Sequence, residues 1–331
     1  MKRVATLAAR FLLLYVAVCA VAGIFVADNA LHPSRRSLDA KEVAYAVQVA
    51  NRAGAELQNV SLTAPDRADL RGWLIRPPMN NGSVVMLLHG MGDNRGGVIG
   101  YAQLLLSAGY SVLMPDARAH GESGGALATY GLLERLDIHQ WVNWLEDQMH
   151  PSCVFGFGES MGAAQLLQSI AVEGRFCAVA VESPFSDFRE IAYDRMGQPF
   201  HVGPWLGETL LRPVVEIAFL RAERKYGLRM QQVSPEQALT ESRTPLLLIH
   251  GSDDHNIPPR HSERILHARP NNTEIWRVAG ADHCGAISAA PGEFALRLVR
   301  FYAAHSRADF RGLVNMPSPH TPEWPAFAPA I

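Results

Sequence analysis

Eight short apolar runs punctuate the chain, and the first two are patterned differently from the rest. VSLTA (60–64) and LRGWLIRP (70–77) alternate apolar and polar positions, the period of half-buried antiparallel strands, and Pro77-Pro78 and Asn80-Asn81-Gly82 break them. SVVMLLHG (83–90), YSVLMPDA (110–117), CVFGFGES (153–160), FCAVAVESP (176–184), TPLLLIHG (244–251) and TEIWRVAG (273–280) are almost continuously apolar, as strands covered on both faces must be. Between them lie helical patterns around 97–108, 128–149, 161–173, 259–268 and 290–305. In the second of these, Leu132, Leu136, Ile138, Trp141, Trp144 and Leu145 form an apolar stripe at near-helical spacing. Strands alternating with helices predict an α/β fold: a mostly parallel central sheet with helices on both faces.

Three regions depart from that rhythm. Residues 186–240 place Phe188, Tyr193, Phe200, Trp205, Leu210, Leu211 and Phe219 among prolines and glycines, which predicts an inserted helical lid. The stretch MPSPHTPEWPAFAPAI (316–331) is proline-rich and predicts a tail outside the fold. At the other end, Lys2, Arg3 and Arg10 precede FLLLYVAVCAVAGIFVA (11–27), about 17 residues without a charge. That is marginal for a membrane helix and long for a signal-peptide core. An uncleaved signal-anchor is expected, with a cleaved signal as the alternative; Ala20-Val21-Ala22 would be the cleavage site, although it sits inside the run. The basic flank would hold the N-terminus in the cytoplasm and leave the domain outside, membrane-anchored, or secreted if cleavage occurs. The expected division is therefore 1–36 for anchor and connector, 37–307 for the α/β domain with its lid at about 186–240, and 308–331 for the tail.

Composition adds exclusions. Hydrophobic residues make up 48% and charged residues 19%, ordinary for a chain with a large core. The formal net charge is -2 with no basic block, which argues against nucleic acid as a partner. Cys19, Cys153, Cys177 and Cys284 show no C-x-x-C pair and no zinc-ligand spacing. Cys153 and Cys177 each open an apolar run and are expected as buried free thiols, with a bridge between them the alternative in an exported domain.

The chemistry lies at the strand ends, where open parallel sheets form their sites. Gly158-Glu159-Ser160-Met161-Gly162 is a G-x-S-x-G turn, in which Gly158 and Gly162 leave room for a strained backbone that presents Ser160 as nucleophile. A serine hydroxyl needs a base, and His283 in Gly280-Ala281-Asp282-His283 would supply it. Asp254 would orient that histidine, with Asp253 the fallback. The backbone N–H groups of Met161 and of Met91, in the turn after SVVMLLHG, would face the oxyanion. Ser160, Asp254 and His283 follow one another in the order Ser…Asp…His.

Taken with their neighbours, these turns resemble an α/β-hydrolase-fold serine hydrolase over about residues 56–305. HGMGDN (89–94) resembles the H-G-x-G-x-N turn of a branch with acylaminoacyl-peptidase-like and dienelactone-hydrolase-like members. PDARAHGES (115–123) resembles D-x-R-G-H-G-x-S, with Ala119 in place of the usual glycine. IHGSDDHNIP (249–258) resembles H-G-x-x-D-x-x-V-P, with Ile257 for valine. The resemblance implies acyl transfer without a cofactor or metal on a small-molecule ester or acyl substrate. Carboxylic esters are the expected substrates; peptide or acyl-amino-acid bonds and thioesters are alternatives, and an inactive exported binding module is the alternative outside enzymes. His89 and His250 are expected to hold loops, His120 to brace one with Asp116 and Arg118, and Asp93 and Asn94 to cap the next helix. Gly156-x-Gly158-x-x-x-Gly162 with Glu182 also fits a dinucleotide fingerprint, but that reading leaves HGMGDN, Asp254 and His283 without a shared role.

Overall fold

A computed structural model describes residues 2–307, so the expected tail lies outside the described residues. The chain begins with α1 (Lys2–Leu31) and α2 (Ala40–Arg52), then β1 (Leu57–Thr63), β2 (Asp69–Ile75) and β3 (Val84–Leu88). α3 (Ile99–Ser107), β4 (Ser111–Pro115), α4 (Glu134–Met149), β5 (Val154–Glu159), α5 (Met161–Ser169) and β6 (Phe176–Glu182) follow in alternation. Then come α6 (Phe188–Gly197), α7 (Trp205–Glu208), α8 (Arg212–Tyr226) and α9 (Pro235–Ala238). The chain closes with β7 (Leu246–Gly251), α10 (Arg260–Ala268), β8 (Thr273–Val278), α11 (Ala286–Ala289) and α12 (Pro291–Ala304). Contacts divide the chain into two units: residues up to Pro33 with Asp187–Ser234, and Ser34–Ser186 with the residues from Pro235 onward.

The larger unit holds an 8-stranded sheet in the order β1-β2-β4-β3-β5-β6-β7-β8. β2 runs antiparallel to β1 and β4, and every other pairing is parallel. The alternation expected for the first two strands belongs to this antiparallel edge. Side chains of the inner strands divide by the two-residue period. Val85, Leu87, Phe155 and Phe157 face a core with α2, α3 and α12, whereas Val84, Met86, Leu88 and Val179 face one with α4, α5 and α10. One expected stripe position fails: Leu136 is exposed, and in α4 the inward residues are Ile138, Trp141, Val142 and Leu145.

Cys153 and Cys177 form a disulfide, contrary to the free thiols expected. Pairing jumps from Val154↔Phe176 to Phe155↔Ala178, so Cys177 sits in a bulge. Both sulfurs thereby reach the same face of the sheet, with the Cα atoms 5.7 Å apart. The bridge lies at the amino ends of β5 and β6, remote from the edge where Ser160 emerges. A closed loop with a sequence separation of 24 should stabilise the fold by about 3.5 kcal/mol through the unfolded chain. A Cys153→Ser/Cys177→Ser variant is expected to show that loss in a urea melt.

In the smaller unit α1 runs along α8. Cys19, Gly23, Ala27 and Leu31 are the buried positions of α1, spaced one helical turn apart. A Cβ at Gly23 would lie 2.7 Å from the Val214 carbonyl oxygen, so only glycine lets these two backbones approach. Tyr15 Oη donates to the Leu210 carbonyl at 2.6 Å, and Asp28 meets Arg221, Lys225 and Tyr226. The other face of α1 is exposed and apolar, including Val4, Leu7, Phe11, Leu14, Val18, Val21 and Phe25. Within the inserted segment, Tyr193 and Phe219 are buried but Phe200, Trp205 and Leu210 are exposed.

Candidate active site

Of the loops that leave the carboxyl edge of the parallel strands, four carry the candidate residues: after β3 at His89, after β5 at Ser160, after β7 at Ser252 and after β8 at Ala279. β5 turns into α5 at Ser160, whose φ of 51° lies in the left-handed region. Such a backbone is costly for any residue with a side chain and persists only where the surroundings impose it. Here two close approaches do. A Cβ at Gly158 would lie 2.5 Å from the Gly162 carbonyl oxygen, and one at Gly162 would lie 2.4 Å from that of Leu88. The side chain of Ser160 makes no helix-capping hydrogen bond.

That hydroxyl instead meets His283: Oγ lies 2.9 Å from Nε2. Nδ1 of His283 lies 2.9 Å from Asp254 Oδ2. An ionised carboxylate can only accept, so Nδ1 carries the proton and Nε2 is left to accept from Ser160. Asp254 is buried, and its other oxygen accepts the Asn256 and Ile257 amides at 2.9 and 2.8 Å. Burial works to raise its carboxyl, but hydrogen bonds from His250 and His283 hold it well below the usual carboxylate range. Asp253 is exposed, and among the described residues its side chain accepts only from the Ser252 hydroxyl, at 2.8 Å. Of the two neighbouring acids, Asp254 alone reaches the histidine.

Met161 opens α5, where an N–H has no carbonyl within the helix to bond. Among the described residues the Met91 amide has no hydrogen-bond partner either. Its turn is close to the serine, since a Cβ at Gly90 would lie 3.7 Å from Ser160 Cβ.

Three further histidines lie in or beside the strand-end turns. His89 is buried; Nδ1 donates to the Gly90 carbonyl at 2.8 Å and Nε2 accepts the Ala117 amide at 3.0 Å, fastening two turns together. His250 spans Ser262 Oγ at 2.6 Å and the Ile257 carbonyl at 2.8 Å, fixing the loop that carries Asp254. Nδ1 of His120 donates to the Arg118 carbonyl within its own turn, at 3.0 Å. Ala119 has φ 61°, which explains why glycine is usual there. Asp93 and Asn94 do not cap α3, whose N-cap is Val98 and carries no side-chain cap. Asp93 binds Arg36, and Asn94 Oδ1 accepts the Gly96 amide.

Two groups were not legible as parts of the site. Glu182 carries its carboxylate to the Ala286 amide at 2.8 Å, while its carbonyl accepts the Ser160 amide at 2.9 Å. It therefore clamps the turn before α11, three residues beyond His283, and is not turned out to meet a ribose. Tyr101, on α3, reaches the same carboxylate. In sequence the only hint was an acid inside an apolar strand.

A mostly parallel sheet with a strained serine turn and these strand-end loops defines the α/β-hydrolase fold. A model described as "Alpha/beta hydrolase family" matches residues 85–297, and the chain belongs to that family. Among relatives, the uncharacterized protein YqkD of Bacillus subtilis is 27% identical over 221 residues, which span 65% of this chain and 69% of that one. Human protein ABHD12B is 22% identical over 200 residues, spanning 57% of this chain and 50% of that one. Among solved structures, the Pyrococcus furiosus esterase Pf2001 superimposes with a TM-score of 0.65 at 24% identity, covering 82% of this chain and 98% of that one. The Pyrococcus horikoshii acylaminoacyl peptidase does so with 0.57 at 18% identity, covering 76% and 42%. At these identities the structural likeness speaks for the fold.

Proposed function

We propose that the protein is a serine hydrolase that cleaves carboxylic esters through an acyl-enzyme on Ser160. The observation that carries this reading is the unbroken chain from Ser160 Oγ through His283 to buried Asp254. Ser160 Oγ attacks the ester carbonyl carbon as its proton passes to His283 Nε2. Asp254 stabilises the imidazolium so formed, and the Met91 and Met161 amides donate to the oxyanion. The tetrahedral species collapses, and the imidazolium returns its proton to the departing alkoxide. Water then repeats the sequence on the acyl-enzyme, releasing the acid.

Esters are the favoured class because the resemblance includes an esterase whose whole length the fold covers, 98% of that chain, against 42% for the acylaminoacyl peptidase. Membrane attachment through α1 is part of the proposal, supported by a mean hydropathy of 2.4 over its most apolar 18 residues. The disulfide fits an extracytoplasmic domain. The test is a screen of p-nitrophenyl esters of graded chain length beside aminoacyl p-nitroanilides and acyl thioesters. The expected result is higher kcat/KM on esters than on either competitor. A preference for the anilides would sink the ester assignment and leave a peptidase.

A further inference from the structure

Glu159 precedes the serine and Glu182 ends the neighbouring strand, and the pairing of β5 with β6 sets the two residues opposite each other. Between their carboxyl groups stands one phenol: Tyr101 Oη lies 3.1 Å from Glu159 Oε2 and 3.1 Å from Glu182 Oε2. The phenol has a single hydrogen and can donate to only one of them. If both acids were ionised, the other contact would set two lone-pair-bearing oxygens against each other with no hydrogen between. Water has little room to relieve that opposition at Glu182, with 0% of its surface exposed, or at Tyr101, with 5%, while Glu159 is partly buried. A second hydrogen closes the chain, and its place is on one carboxyl.

We propose that Glu159 and Glu182 share one proton through Tyr101, and that this proton holds the serine turn and the histidine loop in their reactive arrangement. Both acids are positioning residues, and the proposal rests on reading Ser160 as the nucleophile. In the closed chain Glu159 donates to Tyr101, Tyr101 donates to Glu182, and Glu182 as carboxylate accepts the Ala286 amide. Glu159 Oε1 also faces the Gly90 turn, 3.8 Å from where a Cβ at Gly90 would stand. The three-residue chain thus joins the Gly90–Met91 turn, the Ser160 turn and the turn that follows His283.

The surrounding charges favour this arrangement. Burial pushes the Glu159 carboxyl up to about 8, with Glu182 and Asp93 as further negative neighbours. Burial also pushes Glu182 up to about 7, opposed by the Ala286 amide, Tyr101, His283 and His250. The Cys284 thiol, partly buried, is pushed well up by desolvation and by the same two glutamates, and stays neutral. The Tyr101 phenol is raised in the same way and keeps its hydrogen. Among these groups Glu159 has the least help in bearing charge. Raising the pH removes its proton to solvent and breaks the Glu159–Tyr101 contact. It also places a negative charge beside the position where the oxyanion forms. Reactivity of Ser160 should then fall on the alkaline side.

The test follows the second-order rate of Ser160 labelling by a fluorophosphonate, on the full chain, as a function of pH. Wild type is expected to lose about tenfold between about pH 8 and about pH 9.5, the slope of a single ionisation. Glu159→Gln, each rate normalised to its own value at about pH 7, should lose less than about twofold over the same interval. A Glu159→Gln profile that superimposes on wild type would overturn the proposal. Infrared difference spectra of wild type decide the matter even if that variant does not fold. A protonated-carboxyl C=O band should disappear as the pH passes from about 7 to about 9.5, and Tyr101→Phe should shift it. Absence of the band, or a band indifferent to Tyr101→Phe, would equally overturn it. No labelling of folded wild type at any pH would instead defeat the nucleophile reading, and the infrared band would still report on the shared proton.

Discussion

Replacing Ser160 with alanine is expected to abolish fluorophosphonate labelling and to lower kcat for ester hydrolysis by about a millionfold. KM should change little, because the hydroxyl acts on the reacting carbonyl and adds little to binding. The expectation depends on the Ser160–His283–Asp254 chain working as a unit, so that loss of its first member disables the others. The fold should tolerate the change. Alanine meets the same left-handed backbone at this position as serine does, and the hydroxyl caps no helix. Matching thermal melts with absent labelling would satisfy the prediction. Labelling that survived in Ser160→Ala would move the nucleophile elsewhere.

The second large effect is expected at Asp254. Its Oδ1 accepts two backbone amides while its Oδ2 accepts His283 Nδ1–H. Asparagine has one accepting oxygen and cannot do both. With that oxygen kept on the Asn256 and Ile257 amides, its NH2 group faces His283 and demands an acceptor there. The imidazole must then carry its hydrogen on Nε2, where it cannot take the proton of Ser160. Asp254→Asn should therefore lower kcat by about 10,000-fold with little change in fold. Asp253→Asn should stay within about threefold, because an exposed carboxylate that accepts from the Ser252 hydroxyl has no such constraint. The measurement is kcat for the two variants on one ester, and the opposite ranking would reassign the acid. Because Asp254 is held well below the usual carboxylate range, its protonation cannot be what ends activity under mildly acidic conditions.

Much of this arrangement can be read in the sequence for a definable reason. Inner strands of a parallel sheet are apolar on both faces, so SVVMLLHG or TPLLLIHG stands out without its partners. The turns that follow must be small and polar, which marks HGMGDN, GESMG and GSDDHN. What escapes is set by pairing across the chain. The disulfide needs a bulge that places Cys177 on the same face as Cys153, and no local pattern announces a bulge. The contacts of Tyr101 with Glu159 and Glu182 join α3, β5 and β6, three elements far apart in the chain. Leu136 illustrates a smaller failure: its spacing suits a buried stripe, but the stripe is already complete with Ile138, Trp141, Val142 and Leu145. Cys19, Gly23 and Ala27 read as parts of an apolar run, and nothing local tells a lipid-facing helix from one seated on α8.

From Tyr15, which donates to the Leu210 carbonyl just before α8, to Asp28, which meets Arg221 and Lys225 on α8, α1 is engaged with protein. The free portion, residues 2–14, measures about 20 Å at the helical rise, against about 30 Å of hydrocarbon in a bilayer. A full crossing would have to recruit the residues that now touch α8, and charged side chains on α8 could not follow them into hydrocarbon without a penalty. Lipid and protein are rival solvents for one strip of small side chains, and the helix can be fully dissolved in only one of them at a time.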